Sequence, residues 1–172
     1  MPEDPMRTRH FLDVVFCLGA AGMVVPVVSA QEQMDASKHR IMHNGDLKWN
    51  PIIKGCDMAV VQGNPDADGQ QFVIRFRCAD GAKVPAHWHP TDEYLTVLKG
   101  AFLVGTGDTF DEAKLQTMSL GNFLLMPKGM HHFALNKGET VVQAHGIGPF
   151  KVNWLNPSEV QPPDSTAAPK AK

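Results

Sequence analysis

Residues 87–93 read HWHPTDE, and this stretch decides how the rest of the chain is interpreted. Side chains alternate between the two faces of a β-strand, so His87 and His89 lie on one face and Trp88 lies on the other. Pro90 ends such a strand, and the following turn returns the chain so that Glu93 can begin the next one. Two imidazoles and a carboxylate therefore come together, which is a ligand set suited to a metal ion.

A second segment, GNFLLMPKGMHHFALN at residues 121–136, supplies a fourth candidate ligand. Two apolar runs flank residues 127–130, PKGM, which predict a four-residue hairpin turn. If the runs pair across this turn, His131 points to one face of the hairpin. The other face then carries the candidate ligand with its apolar neighbours, namely Phe123, Leu125, His132 and Ala134.

Both segments resemble the sequence motifs of the cupin superfamily. Residues 81–100, GAKVPAHWHPTDEYLTVLKG, match the first motif at Gly81, His87, His89, Glu93 and Gly100. Residues 121–136 match the second motif at Gly121, Pro127, Gly129, His132 and Asn136. The resemblance covers about a third of the chain. It implies an all-β fold, a single cupin jelly-roll-type β-barrel, with one divalent metal bound by the equivalents of His87, His89, Glu93 and His132.

The expected function follows from this ligand set. Three neutral nitrogens and one carboxylate suit Mn, Fe, Co, Ni, Cu or Zn, and the affinity order does not choose among them. Four ligands leave coordination positions open for water or substrate. We expect a metal-dependent enzyme acting on a small organic molecule, and among the chemistries that the cupin resemblance implies, oxygenase-type chemistry is slightly favoured over isomerase, lyase or decarboxylase chemistry. The alternative is a non-catalytic module that binds or senses a small molecule through the metal.

Other polar residues are candidates for substrate contacts. Gln143 and His145 share a face of their strand, and if that face looks into the barrel they form a catalytic or substrate-orienting pair. Arg75 is a third candidate. It could bind a substrate carboxylate only if its side chain points into the barrel. Asp92 is expected to hydrogen-bond a turn, and Tyr94 to pack on the face opposite Glu93. Leu95, Val97, Phe123 and Leu125 are expected to form either an apolar pocket wall or ordinary barrel core, and the sequence does not separate the two.

Short runs rich in Val, Ile, Phe and Thr, separated by turn formers, predict the strands. The predicted runs are Met58–Gln62, Gln71–Cys78, Val84–His89, Glu93–Leu98, Phe102–Thr106, Asn122–Met126, His131–Leu135 and Thr140–His145. A short helical turn is expected between Gly107 and Met118. The barrel domain is assigned to residues 51–156, after an N-terminal arm at residues 31–50. Residues 157–172 have little to bury and predict a disordered tail.

The first 30 residues have the three parts of a secretory signal peptide. Arg7 and Arg9 precede an apolar stretch from Phe11 to Val28, and small residues lead to a cleavage site after Ala30. A transmembrane anchor is the alternative, which Pro26 and two glycines in the stretch disfavour. The leader, the HPTDE turn and the closing QAHGIGPF further resemble a group of small secreted bacterial cupin-domain proteins. The expected location is therefore periplasmic or secreted.

Removal of the leader leaves 14 Lys and Arg against 15 Asp and Glu, a formal charge of −1. No basic stripe is present, so nucleic acid is not expected as a partner, nor a membrane after cleavage. Cys56 and Cys78 remain, and the sequence leaves open whether they form a disulfide or two separate thiols. A homodimer formed through edge strands is expected, because exposed edges favour pairing.

Overall fold

The computed structural model describes residues 39–163 of the 172-residue chain. Three short 3-10 helices lie at Asn44–Asp46, Glu112–Lys114 and Pro157–Glu159. The strands are β1 Asn50–Ile53, β2 Cys56–Gly63, β3 Gln71–Cys78, β4 Lys83–Trp88, β5 Glu93–Thr106, β6 Gln116–Met118, β7 Phe123–Met126, β8 His132–Ile147 and β9 Asn153–Trp154. Between residues 39 and 163, no helix has the length and apolar character needed to cross a membrane.

All strand pairs are antiparallel, and β8 is the centre of the arrangement. One path of neighbours runs β1-β2-β3-β8-β4-β9, and β5 lies alongside β8 while also pairing with β6 and β7. The two long strands thus belong to both halves of the sheet. The sheet curls on itself, which buries one of its faces without a second layer of structure. The prediction of an all-β, jelly-roll-type barrel is confirmed.

The long strands β5 and β8 each correspond to two predicted strands. The predicted break after Leu98 is a bend within β5, where the pairing with β8 shifts on either side of Lys99. Gly100 has a φ of 73° at this bend. A Cβ there would lie 2.9 Å from Thr140 Oγ1, so both the backbone conformation and the space require glycine.

The predicted hairpin between β7 and β8 is wrong. β7 pairs with β5, Tyr94 lying opposite Leu125, and it makes no ladder with β8. Met126 therefore points into the core, whereas Phe123 is 60% exposed and Leu125 44% exposed. The apolar run FLLM has apolar residues on both faces, so alternation alone could not decide which face is buried.

The core of the barrel is filled from alternate positions of the strands. Phe72 and Ile74 of β3 are buried there with Val97 of β5 and Val142 of β8. The apolar face of β3 therefore points inward. Arg77 on its other face pairs with Asp57 at 2.6 Å.

A disulfide joins Cys56 of β2 to Cys78 of β3, which are direct partners across the two strands. It packs in a second apolar cluster with Ile53, and Trp154 and Val160 pack against this cluster. The sequence had left this bridge open. In the structure the disulfide forms because the register places Cys56 and Cys78 opposite each other, with Cα atoms 4.2 Å apart.

The ends of the described region carry more structure than expected. Residues 157–163 were assigned to a disordered tail, but Pro157–Glu159 form a 3-10 helix and the carbonyl of Gln161 accepts a hydrogen bond from Lys54 N. Val160 anchors this stretch by its apolar contact, which the sequence argument overlooked. The expected helical turn is present at Glu112–Lys114. The signal peptide, the first part of the arm and the rest of the tail lie outside the described residues.

Candidate metal centre

Three strands bring four polar side chains to one place inside the barrel. His87 lies near the end of β4, and His89 follows two residues later on the same face. Glu93 is the first residue of β5 and His132 is the first residue of β8. Pairing of β4 with β8 puts His87 directly opposite His132. All four side chains are buried.

The imidazoles are grouped closely enough for one ion. Single ligand atoms of His87, His89 and His132 all lie within 4.8 Å of one another. Glu93 Oε2 lies 3.6 Å from His89 Nε2 and 3.7 Å from His132 Nε2. Three histidines that could hold a metal ion thus share their space with one carboxylate oxygen.

Each histidine uses its Nδ1 for a hydrogen bond to a backbone carbonyl. The distances are 2.8 Å from His87 to Pro85 O, 2.9 Å from His89 to Lys151 O and 2.9 Å from His132 to Met130 O. A carbonyl only accepts, so Nδ1 carries the proton and the Nε2 lone pair stays free. His89 Nε2 is buried without a hydrogen-bond partner among the described residues. This orphaned acceptor is what a bound cation would satisfy.

Burial controls the charge of the cluster. Desolvation holds the pKa of His87 well below its usual range, helped by the neighbouring histidines, and it lowers the pKa of His89 to about 4. Desolvation likewise lowers the pKa of His132. The same burial raises the pKa of Glu93 to about 8. The imidazoles are therefore neutral near pH 7, as metal ligands must be, and the carboxyl group would ionise on gaining a cation.

Two hydrogen bonds connect the turns that carry the ligands. Asp92 Oδ1 accepts from Lys128 N at 2.8 Å, and Gly129 N donates to His89 O at 2.8 Å. The expected role of Asp92 at a turn is confirmed, although the turn is the one that precedes His132. His131 points away from the cluster and contacts Asp108 at the surface, as alternation predicted.

The segment after β8 completes the site, and the sequence argument missed it. The Phe150 ring stacks on His89 with centroids 4.5 Å apart, and the Trp154 ring lies 5.1 Å from His87. Lys151 supplies the carbonyl that orients His89. The alternation of Phe150, Val152 and Trp154 was the available signal, since it is the period of a half-buried strand.

The three candidate substrate contacts lie outside the barrel. Arg75 Nε donates to Gln143 at 3.0 Å, and its Nη1 donates to Asn44 at 2.6 Å, all on the outer face of the sheet. His145 is exposed and stacks on Tyr94, which faces away from Glu93 as expected. Gln143 and His145 share a face of β8 as expected, but the condition that this face looks into the barrel is not met, because Val142 and Ala144 occupy the inner face.

A cavity of about 340 Å³ extends from the cluster through the barrel. This volume is at the small end of the range for ligand pockets. Leu95 lines the cavity as expected, but Phe123 and Leu125 do not, because they point outward from β7. Val97 is buried in the core without lining the cavity. The apolar walls come instead from the disulfide, from β1 and from the segment after β8.

Residues 37–151 match the family of ChrR cupin-like domains. The chain belongs to this cupin family. Over 133 residues it is 26% identical to germin-like protein 1 of Brassica napus, a match that covers 77% of this chain and 53% of that protein. The chain spans about a third to a half of the length of the curated germin-like and auxin-binding relatives that it matches.

Solved structures support the cupin fold at low sequence identity. The polyketide cyclase RemF from Streptomyces resistomycificus superposes with a TM-score of 0.58 at 18% identity, over 71% of this chain and 89% of that chain. KdgF from Halomonas sp. gives a TM-score of 0.52 at 20% identity, over 64% and 96% of the two chains. At these identities the similarity concerns the fold and not the reaction.

Proposed function

We propose that the protein is a metal-dependent cupin enzyme acting on a small organic molecule, with His87, His89, Glu93 and His132 as the ligands of one divalent transition metal. The observation that supports this most is the buried Nε2 of His89, which has no hydrogen-bond partner between residues 39 and 163 and lies 3.6 Å from Glu93 Oε2. Without a cation, such a group costs the desolvation of an unpaired acceptor. Manganese, iron, cobalt, nickel, copper and zinc all suit this donor set.

The surroundings of the cluster favour chemistry centred on the metal. A bound transition metal supplies Lewis acidity and, if it is redox-active, a site for oxygen-type reactions. Besides the four cluster residues, the part of the cavity lining that the structure describes contains no side chain that titrates near neutral pH. The protein's own contribution is then to orient the imidazoles through three carbonyls and to keep the site apolar. We therefore retain a slight preference for oxygenase-type chemistry over isomerase, lyase or decarboxylase chemistry.

The second candidate is a non-catalytic module that captures or senses a small molecule through the metal. One observation favours it: His145, Gln143 and Arg75, the residues expected to assist catalysis, all lie on the outer face. A cavity with a metal and no further acid or base is sufficient for binding. Turnover of a chelating substrate supports the enzyme, whereas tight binding without turnover supports the module.

Elemental analysis of the purified protein tests the metal assignment. We expect about one metal ion per chain in the wild type after purification without a chelating tag. The His132→Ala variant should lose it, because one of three imidazole ligands is gone. His131→Ala is the matched control, since this neighbouring histidine points to the surface and contacts Asp108. Equal metal content in all three proteins, or none in any after incubation with each ion, would contradict the assignment.

We further propose that the mature protein begins after Ala30, is periplasmic or secreted, and forms a homodimer. The Cys56–Cys78 disulfide supports the location, because disulfides persist in oxidising compartments. The exposed Phe123 and Leu125 on edge strand β7 support self-association. N-terminal sequencing of the exported protein tests the first proposal. Light scattering at micromolar concentration tests the second, and a monomer mass would refute it.

A further inference from the structure

We propose that the cavity takes a molecule that binds the metal through a single chelating end and whose body is uncharged and mainly hydrocarbon, and that Phe150 helps to determine which bodies bind. The inference rests on the metal centre proposed above and specifies the ligand class of that site.

The charges of the cavity lining lead to this class. Among the described residues, the lining contains no lysine or arginine, and its ionisable residues are His87, His89, Glu93 and His132. Its remaining polar residues are Asn136 and Thr140. The Asn136 amide nitrogen and the Thr140 hydroxyl donate to backbone carbonyls, and Asn136 Oδ1, which is buried without a partner among the described residues, offers an acceptor but no charge. A ligand carrying a second charge, beyond the group that binds the metal, would therefore be buried without a counter-charge, at a high cost in free energy.

Aromatic and aliphatic side chains make up the body of the cavity. Phe76, Phe102, Phe150 and Trp154 line it together with aliphatic residues and the disulfide. Such walls stabilise a ligand by burying its apolar surface, and flat aromatic faces suit a planar ligand. The chelating head and the apolar body of the ligand thus have separate places to bind.

Phe150 lies where these two places meet. Its ring stacks on His89 on one side and contacts Phe72 and Phe76 at centroid distances of 5.4 and 6.1 Å. It also lines the cavity itself. A ligand body that extends from the metal along this wall lies against the Phe150 ring, so the size and apolar surface of the ring affect which bodies bind.

Three hydroxamates with the same chelating head provide the probes. Acetohydroxamate has almost no body, benzohydroxamate adds a phenyl ring, and 4-carboxybenzohydroxamate adds a negative charge to that ring. Zinc is the metal of choice because it binds without redox turnover. Titration calorimetry of the zinc-loaded protein should show benzohydroxamate binding about 10- to 100-fold more tightly than acetohydroxamate. The carboxylated probe should bind at least about tenfold more weakly than benzohydroxamate.

Variants assign the preference to the cavity. Phe150→Leu should reduce the advantage of benzohydroxamate over acetohydroxamate about threefold or more while the zinc content stays near one. Phe123→Leu is the control, because that ring lies on the outer face and should leave all three affinities unchanged. Val152→Lys places a cation at an exposed position of the lining and should raise the affinity for the carboxylated probe. Because Val152 is partly exposed to solvent, the substitution should leave folding intact.

The outcomes separate the two proposals. Zinc bound at one per chain with equal affinity for all three hydroxamates overturns the ligand class and leaves the metal centre intact. A preference for benzohydroxamate that Phe150→Leu does not change overturns the role of Phe150. Absence of zinc binding overturns the metal centre and, with it, this mode of ligand binding.

Discussion

Reduction of the Cys56–Cys78 disulfide should destabilise the protein by about 3 kcal/mol. The bridge closes a loop with a sequence separation of 22 residues. The loop-entropy relation gives about 11 cal/mol/K for this length, which corresponds to about 3 kcal/mol at 25 °C. Reduction removes no heavy atom from the apolar cluster around Ile53, so the packing contribution should change little. The effect arises mainly in the unfolded chain, which gains freedom when the bridge is opened.

Urea denaturation monitored by tryptophan fluorescence measures this effect. The comparison is between oxidised wild type, wild type reduced with a phosphine, and the Cys56→Ala/Cys78→Ala double variant, all in a chelator so that metal binding adds nothing. With a urea dependence of about 1–3 kcal/mol/M, the midpoint should fall by about 1–3 M on reduction. The double variant should be insensitive to reductant. A reduced protein within about 0.5 kcal/mol of the oxidised one would refute the loop argument.

Three further outcomes are expected. Asp92→Ala should lower the free energy of unfolding by about 1 kcal/mol, because the Lys128 amide loses its acceptor. The same variant should bind metal more weakly in a chelator competition. An unchanged metal affinity would show that this turn does not position His132. In the metal-free protein, the unfolded state takes up a proton at His89 below about pH 6.5 while the folded state does so only near pH 4. The stability advantage of wild type over His89→Asn should therefore shrink as pH falls through this window, by up to about 1.4 kcal/mol per pH unit in urea titrations, and a constant difference would contradict the burial argument. Ile74→Ala, at a fully buried core position, should cost about 2–5 kcal/mol; Val60→Ala, 41% exposed, is its control and should cost less than about 0.5 kcal/mol.

The sequence was most informative where short-range rules apply. The β-branched and aromatic run at Gln71–Cys78 predicted β3 with its correct bounds, because strand propensity and alternation agree there. Alternation also placed His87 and His89 on one face and His131 away from His132. These inferences depend only on neighbours in the sequence, so they did not require knowledge of tertiary contacts.

The errors concern long-range pairing. A turn at Pro127–Met130 is local information, but whether it joins paired strands depends on where β5 lies, 30 or so residues earlier in the chain. Because β7 pairs with β5, the exposed face of β7 is the one that the hairpin would have buried. The orientation of Gln143 was recoverable, since Val142 and Ala144 form the more apolar face of β8. The alternation of Phe150, Val152 and Trp154 was likewise readable from the sequence, but the stacking of Phe150 and Trp154 on the histidines is a tertiary contact that local rules do not predict.

The Nδ1 hydrogen bonds of the three buried histidines give the site a spectroscopic signature. Each Nδ1 proton is held by a backbone carbonyl, at Pro85, Lys151 or Met130, in a place that water reaches poorly. Such protons exchange slowly, so they should appear as separate resonances far downfield in a proton NMR spectrum recorded in water. Nitrogen-15 labelling would then report the tautomer of each ring directly. Addition of diamagnetic zinc should move the Nε2 resonances and leave the Nδ1 protons in place, so that ion uptake can be followed one imidazole at a time.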